Sequence, residues 1–339
     1  MGTALLRTSS SSTQDRHRIL VCLDRPAAAE LCLPFAVSLA KTFESGLTLL
    51  HVMQPHQDQP ARSASDPLAW ELSRQEAEAS LQRLQGSLAE ELGSPVDARL
   101  EQGRPAERIA DLAAEIGAGL TVLGSHGAGR GPSSSLGSTA QQVLSKLQGS
   151  VFIARASSGA GPSPIPRRIL VPLDGSRRSE SVLPTAARLA ETHGATLLLA
   201  HVVQEPLPTA LLHTAEDLLL AQNLAGRLER SALRYLQTLK EQLGQEGNLV
   251  ETFVLRHVNE RQCVLELSAR EGADLIILSA HGSACSSAGF FGSVTDYLLQ
   301  HSLVPLMVLQ DLPEAGARRS KEHDSEPPPL RASYAAERM

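Results

Sequence analysis

The sequence is poor in aromatic residues and cysteines, and it carries no excess of positive charge. Phe, Trp and Tyr make up 3% of the 339 residues, and the formal net charge is −6. Nucleic-acid-binding proteins use basic patches and aromatic stacking platforms, so we expect no nucleic-acid partner. The four cysteines form no CxxC pair, which favours reduced thiols in a cytoplasmic protein over disulfides or a zinc site. No apolar run approaches the ~18 residues that span a bilayer, so we expect no membrane segment.

An internal repeat is the most informative feature that the sequence does contain. The run RILVCLD at residues 18–24 matches RILVPLD at residues 168–174, an offset of 168 − 18 = 150. Later landmarks are 155 residues apart, since Gly137-Ser138 recurs as Gly292-Ser293. Self-similarity at this spacing predicts two related domains, and 339 residues exceed the length that one hydrophobic core usually serves.

The repeat also predicts the limits of the domains. We assign residues 17–155 to the first domain and residues 167–311 to the second. Residues 156–166 between them are rich in Ser, Gly, Ala and Pro, a composition typical of an exposed linker. We expect residues 1–16 and the charged, Pro-rich residues 312–339 to be disordered.

Strand-like and helix-like patterns alternate within each copy. Short runs rich in Leu, Ile and Val are separated by helical segments, the pattern of βαβ units around a parallel sheet. We therefore predict an α/β fold with two tandem, open-sheet, mostly parallel, five-stranded Rossmann-like domains. The predicted strands are residues 19–23, 47–52, 99–101, 120–123 and 151–154 in the first copy, and 169–173, 196–203, 253–255, 275–278 and 306–309 in the second.

A glycine-rich segment follows the fourth predicted strand of the first copy. It reads Gly124-Ser-His-Gly127 and, after nine residues, Gly137-Ser138 at the start of a helix. Such a loop exposes backbone N–H groups beside a helix N-terminus, which suits a phosphate, and glycine permits its close approach. The alternative interpretation is an ordinary turn, but the strand before it, the helix after it and its recurrence in the second copy favour a phosphate site.

The spacing Gly-x2-Gly-x9-Gly-Ser after an apolar strand resembles the ATP-binding motif of the universal stress protein family. The resemblance covers nearly all of residues 17–155 and 167–310. It implies the adenine nucleotide alpha hydrolase-like form of the Rossmann fold and a bound ATP, AMP or ADP, with Mg²⁺ as a companion to a triphosphate. It also implies site residues in the first copy: Asp24 and Val52 on the base and ribose, and Gly124, Gly127, Gly137 and Ser138 at the phosphates. His126 lies in the same loop, within reach of a phosphate by its position in the sequence, so we include it among the candidate site residues.

The second copy has the corresponding residues with one departure. They are Asp174, Val202, Gly282, Gly292 and Ser293. Ser279, however, stands where the first copy has Gly124, and its side chain adds bulk where backbone should approach phosphate. The first copy departs from the family elsewhere, at Arg25-Pro26, where many members have Gly-Ser. Because its phosphate motif is complete, we expect the nucleotide site to be better preserved in the first copy.

Several of these residues also have a structural interpretation that the sequence leaves open. Asp24 and Asp174 suit a cap on the following helix or turn. His51 and His201, beside the valines of the second strand, fit hydrogen-bonded structural positions better than catalytic ones. Arg130 in the first loop suits either a phosphate contact or a solvated position.

Three functions fit the sequence. The first is a nucleotide-binding protein of stress response or signalling, in which occupancy biases conformation or partner choice. The second is an enzyme, but HIGH, KMSKS and SGGxDS motifs and a Walker P-loop do not occur, so we assign no catalytic residue and expect slow ATP hydrolysis at most. The third is a nucleotide-free interaction module of the same fold.

The family resemblance also implies an assembly. Family members commonly dimerise through the last strand, so we expect an intramolecular pseudo-dimer in which residues 151–154 pair with residues 306–309. That pairing would cover two exposed strand edges. A homodimer of whole chains and an unidentified protein partner are further expectations.

Overall fold

The structure is a computed structural model that describes residues 18–24, 26–54, 67–125, 136–147, 149–155, 165–205, 215–282 and 291–310. The predicted disorder of residues 1–16 and 312–339 lies outside these ranges. The first half comprises β1 (Arg18–Leu23), α1 (Pro26–Phe43), β2 (Gly46–Met53), α2 (Pro67–Leu92), β3 (Asp97–Gln102), α3 (Pro105–Glu115), β4 (Ala118–Gly124), α4 (Ser138–Leu144) and β5 (Ser150–Ala154). The second half comprises β6 (Arg168–Pro172), α5 (Arg177–Glu180), α6 (Leu183–His193), β7 (Thr196–Gln204), α7 (Ala215–Gln245), β8 (Leu249–His257), α8 (Glu260–Arg270), β9 (Leu275–Ser279), α9 (Ser293–His301) and β10 (Leu306–Leu309).

Every predicted strand overlaps an observed one, although some boundaries differ. β6 lies one residue earlier than predicted. β3 and β8 are six and nine residues long, where the sequence predicts three residues each. Both occupy the ends of the strand order, and their partly exposed residues weaken the apolar pattern on which sequence-based assignment depends.

One sheet joins the strands of both halves. Within the described residues its order is β3-β2-β1-β4-β5-β10-β9-β6-β7-β8. Neighbouring strands within each half run parallel, whereas β5 and β10 pair antiparallel. The predicted fold class, two mostly parallel five-stranded α/β units in tandem, is confirmed.

Helices cover both faces of this sheet because its central strands are apolar on both faces. Leu20 and Val21 are neighbours in β1 and point to opposite faces, yet both are fully buried. Helices α1, α2, α6 and α7 pack on the face that Val21 joins, and α3, α4, α8 and α9 pack on the face that Leu20 joins. No helix within the described ranges is long and apolar enough to cross a bilayer.

The junction between the halves is a pair of hydrogen-bonded strands at the centre of the sheet. β10 aligns Met307 with Phe152 of β5. Phe152 is 1% exposed, and its ring centroid lies 5.2 Å from that of Phe35 in α1. Because β5 and β10 pair with each other, neither leaves an open edge in the sheet.

Polar contacts also connect the halves. The guanidinium of buried Arg155, which follows β5, donates a hydrogen bond to the Leu299 carbonyl in α9. His193 Nε2, at the end of α6, lies 3.0 Å from Ser38 Oγ and 3.2 Å from Thr42 Oγ1 in α1. Burial lowers the pKa of Arg155 to about 10 and lowers the pKa of His193 below its ordinary value.

The two copies differ where the first long helical segment ends. Gly194 ends α6 with φ 65°, a left-handed conformation that glycine adopts without strain. The residue 150 positions earlier is Glu44, which follows α1 with φ 51°. A side chain in this conformation destabilises the backbone by about 1–2 kcal/mol.

Candidate functional site

The order of strands creates one switch point in each half. β1 lies between β2 and β4, and β6 lies between β7 and β9. In open α/β sheets, ligands bind outside the carboxyl ends of the strands at such a point. Asp24 directly follows β1, and Asp174 lies two residues after β6. The fold therefore places both predicted aspartates at switch points.

Asp174 organises the turn after β6. Its Oδ1 accepts a hydrogen bond of 2.9 Å from the Ser176 backbone N–H, and Gly175 between them has φ 80°, which favours glycine. The cap of α5 is Ser176, whose Oγ accepts from the Ser179 backbone N–H. Asp174 therefore holds the turn, whereas the capping role that the sequence left open for it belongs to Ser176.

The glycine-rich loop of the second half lies against this aspartate. A Cβ built on Gly282 would lie only 2.6 Å from Asp174 Oδ2, so this position accommodates glycine alone without movement. The loop closes where the Gly292 backbone N–H donates to the Ala280 carbonyl at 2.7 Å. Ser279 is buried and donates to the His281 carbonyl at 2.7 Å. Its hydroxyl is thus bonded within the loop.

The described part of the first loop has the same hydrogen bonds. The Ser125 backbone N–H donates to the Ala154 carbonyl at 2.9 Å, and the Gly137 N–H donates to the Ser125 carbonyl at 2.8 Å. The equivalent bonds in the second loop join residues 155 positions later, Ala280 to Leu309 and Gly292 to Ala280. Both loops are therefore anchored to the last strand of their own half and closed by the glycine that precedes a helix.

The remaining predicted residues of the first half are distributed as follows. Gly124 is the last residue of β4, and exposed Ser138 is the first residue of α4. Asp24 is exposed and Val52 is half-buried near the end of β2. His126 and Gly127 lie outside the described residues.

The histidines of the second strands have structural partners. His51 Nδ1 lies 2.7 Å from the Leu23 carbonyl oxygen, and His201 Nδ1 lies 2.8 Å from the Leu173 carbonyl oxygen. Each ring therefore bonds the end of the neighbouring first strand, as expected for structural histidines. Val202, which follows His201, is half-buried in β7.

A cavity of about 820 Å³ opens at the switch point of the second half. Four predicted residues line it, namely Asp174, Gly282, Gly292 and Ser293. Its wall also includes residues of the first half from α4 and its approach: Leu136, Gln141, Leu144 and Ser145. The cavity therefore extends from the second loop into the space beside α4, so that both halves contribute to one site.

Sequence reasoning missed three charged residues of this cavity. Glu260 and Arg261 begin α8, and Asp296 lies in the first turn of α9. They belong to helices that reach the site only after folding, so no local motif contains them. A comparison of the two copies gives the one signal in the sequence. The positions 155 residues earlier hold the uncharged residues Pro105, Ala106 and Gln141, so the three charges occur in the second copy alone.

The electrostatics of this cavity are dominated by carboxylates. Burial, followed by the charge of Asp174, raises the pKa of Glu260, and Arg261 partly opposes that rise. Among the described residues, no group of three or more His, Cys, Asp and Glu is arranged to hold a metal ion.

Fold and site together define a tandem α/β protein with a glycine-rich loop at the switch point of each half. The family model described as the universal stress protein family matches residues 15–155 and 166–310. The chain belongs to this family, and it contains two copies of the family's domain.

Similar proteins agree with this assignment. A universal stress protein of Mycolicibacterium smegmatis is 25% identical over 307 residues, covering 87% of this chain and 97% of the relative. One from Bacillus subtilis is 24% identical over 148 residues, or 42% of this chain and 98% of the relative.

Two solved structures resemble the whole fold. The crystal structure of a universal stress protein from Archaeoglobus fulgidus has a TM-score of 0.61 at 17% identity, covering 88% of this chain and 99% of that one. A functionally unknown protein from Pseudomonas aeruginosa PAO1 has a TM-score of 0.63 at 17% identity, covering 88% and 93%. At this identity the likeness concerns the fold.

Proposed function

We propose that the chain binds an adenine nucleotide, ATP or else AMP or ADP, and acts in stress response or signalling. The observation that carries the proposal is the glycine-rich loop at each switch point, anchored by the same hydrogen bonds in both halves. In the second half this loop borders a cavity of about 820 Å³, within the range of small-molecule sites.

The glycines fit a ligand that approaches the backbone closely. A Cβ at Gly282 would meet Asp174 Oδ2 at 2.6 Å, and one at Gly292 would lie 3.5 Å from the Gly282 backbone nitrogen. Side chains at these positions would fill the cradle between the two sides of the loop. The Gly292 backbone also leads into α9, whose first N–H groups favour an anionic or polar ligand.

The proposed roles follow the arrangement at the strand ends. In the first half, Asp24 and Val52 contact base and ribose, and the loop holds the phosphates through Gly124, His126, Gly127, Gly137 and Ser138. In the second half, Asp174, Val202, Gly282, Gly292 and Ser293 are the proposed contacts to an adenine ligand. Mg²⁺ would accompany a triphosphate and neutralise part of its charge.

The first half is the preferred nucleotide site in this proposal. Its phosphate motif is complete, whereas Ser279 replaces the first glycine of the second motif. The first loop also carries Arg130, while residues 283–291 of the second loop include no Lys or Arg. A guanidinium forms strong, charge-assisted hydrogen bonds to phosphate.

Binding, rather than turnover, is the proposed output. Helix α4 follows the first loop, and its residues Gln141 and Leu144, with the C-cap Ser145, line the cavity of the second half. Occupancy of the first loop therefore acts on an element that both sites share. A ligand changes the conformation of such an element only if it binds one of two conformations more tightly than the other.

The proposal extends to assembly and location. The antiparallel pairing of β5 with β10 supports an intramolecular pseudo-dimer of domains spanning residues 17–155 and 167–311, joined by the linker 156–166. We further propose a homodimer of whole chains, an unidentified protein partner, and a cytoplasmic location.

The test is calorimetric titration of the nucleotide-stripped chain with Mg-ATP, compared with the double variant Gly127→Val/Gly137→Val. The proposal predicts saturable binding near one equivalent that the variant loses, with the fold of both proteins verified by circular dichroism. Absence of heat and of thermal stabilisation by ATP or AMP in folded wild-type protein would contradict it. That result would favour the nucleotide-free interaction module.

A further inference from the structure

We propose that the second-half cavity selects an adenine nucleoside with an uncharged 5′ substituent and discriminates against phosphate chains. This inference rests on the proposed function, because it assumes that both halves recognise adenine. It assigns the two halves different ligands, a nucleotide in the first and an unphosphorylated nucleoside in the second.

The charge of the cavity carries the inference. Its described charged lining consists of Asp174, Glu260 and Asp296 against Arg261, three carboxylates and one guanidinium. Asp174 Oδ2 lies where a Gly282 side chain would begin, and Asp296 lies in the first turn of α9. The carboxylates thus flank both the loop and the helix N-terminus, the places where a phosphate chain would gain backbone hydrogen bonds.

The first half lacks two of these carboxylates. The positions equivalent to Glu260 and Asp296 are 260 − 155 = 105 and 296 − 155 = 141, and they hold Pro105 and Gln141. Glu260 is partly buried, and the charge of Asp174 raises its pKa further, so a polyanion brought beside these groups would add to existing repulsion. The second copy therefore places two carboxylates at its cavity where the first copy has uncharged residues.

The cavity also offers apolar side chains that an uncharged 5′ substituent can contact. The lining includes apolar side chains of both halves, among them Leu136, Leu144 and Leu299, together with the polar Gln141, Ser145 and Gln300. An apolar 5′ substituent would contact these residues, whereas a phosphate chain would meet Arg261 as the one basic side chain of the described lining. 5′-Methylthioadenosine is a suitable neutral probe.

The experiment uses the full chain with Gly127→Val, which blocks close backbone approach in the first loop at a residue outside the described lining of the second cavity. If circular dichroism shows this variant to be unfolded, Gly127→Ala replaces it. Calorimetric titrations with 5′-methylthioadenosine, adenosine, AMP and ATP are run in EDTA and again with Mg²⁺. We expect the dissociation constant to rise with each phosphate, by about tenfold or more from adenosine to ATP.

Two further variants test whether the cavity carboxylates cause the weaker binding of phosphorylated ligands. Glu260→Gln/Asp296→Asn in the same background should reduce the ratio between ATP and adenosine to about threefold or less. Glu266→Gln is the matched control, because Glu266 is exposed on the same helix and outside the cavity, and it should leave the ratio unchanged.

The outcomes separate this inference from the proposed function. ATP binding as tightly as adenosine in either condition, or a ratio that the double variant does not change, overturns the inference. Wild-type protein that binds ATP while the background variant binds none of the four compounds also overturns it, but leaves the proposed function intact. Wild-type protein that binds no adenine compound contradicts both the inference and the proposed function.

Discussion

Two glycines of the second loop have different neighbours, so the same substitution should have different effects at each. A Cβ at Gly282 would lie 2.6 Å from Asp174 Oδ2, whereas the nearest neighbour of a Cβ at Gly292 is 3.5 Å away. Ordinary van der Waals contact begins near 3.4 Å. Gly282→Ala therefore requires the carboxylate to move by 3.4 − 2.6 = 0.8 Å, and Gly292→Ala requires no movement.

The movement at Gly282 has a calculable consequence. Displacing the carboxylate stretches the 2.9 Å hydrogen bond from the Ser176 N–H to Asp174 Oδ1, and a hydrogen bond to a charged group contributes about 1.5–3 kcal/mol. Replacing glycine by alanine lowers the conformational entropy of the unfolded chain, and this stabilises the folded state by about 0.4–1 kcal/mol. Gly282→Ala should thus destabilise by about 1–2 kcal/mol. At Gly292 the same stabilisation through the unfolded chain offsets the poorer helix cap that alanine provides. The free energy of unfolding should therefore change by less than about 0.5 kcal/mol.

Thermal unfolding followed by circular dichroism measures both effects. With about 2–4 °C per kcal/mol for a unit of this size, Gly282→Ala should lower the Tm of the ligand-free chain by about 2–8 °C, and Gly292→Ala by less than about 2 °C. The Tm loss of the double variant Asp174→Asn/Gly282→Ala should be smaller than the sum of the two single losses, because both changes act on one carboxylate. Equal Tm losses for the two glycine variants would show that contact with Asp174 does not determine the effect of the Gly282 substitution.

Three further predictions concern the fold. Phe152→Ala, which removes a buried ring packed on Phe35, should destabilise the chain by about 3–5 kcal/mol in urea unfolding, and a loss below about 1 kcal/mol would show that the strand junction is dispensable. Burial lowers the pKa of His193, so protonation opposes folding and the wild-type Tm should fall as pH drops below about 6.5. His193→Asn should show a smaller fall between pH 7 and pH 5, and an identical fall would exclude this histidine as the cause. Glu44→Gly should raise stability by up to about 1 kcal/mol because Glu44 has φ 51°, while Gly194→Ala at φ 65° should lower it, and the opposite signs would contradict the strain argument.

Repeated apolar strands made the fold predictable from the sequence. Runs such as residues 19–23 and 169–173 are buried on both faces, so their composition alone indicates strands of a parallel sheet. The edge strands β3 and β8 were predicted too short, because partly exposed residues extend the hydrogen-bonded ladder without extending the apolar pattern. The division of the second half's first helical segment into α5 and α6 also has no clear signal in the sequence.

The site was predictable only where its residues follow one another along the chain. The spacing from Gly282 to Ser293 is visible in the sequence, and the structure brings these residues together with Asp174 around one cavity. Glu260 and Asp296 were not predicted, since their positions depend on where α8 and α9 begin relative to the sheet. Residues of α4 also line this cavity, and they reach it because β5 pairs antiparallel with β10.

Equilibrium dialysis of the nucleotide-stripped wild-type chain against ATP, with GTP as the control ligand, measures whether the chain binds an adenine nucleotide. We expect saturable retention of ATP that excess AMP displaces and excess GTP does not. If protein that circular dichroism shows to be folded retains neither nucleotide, or retains both equally, the chain is not an adenine-nucleotide-binding protein.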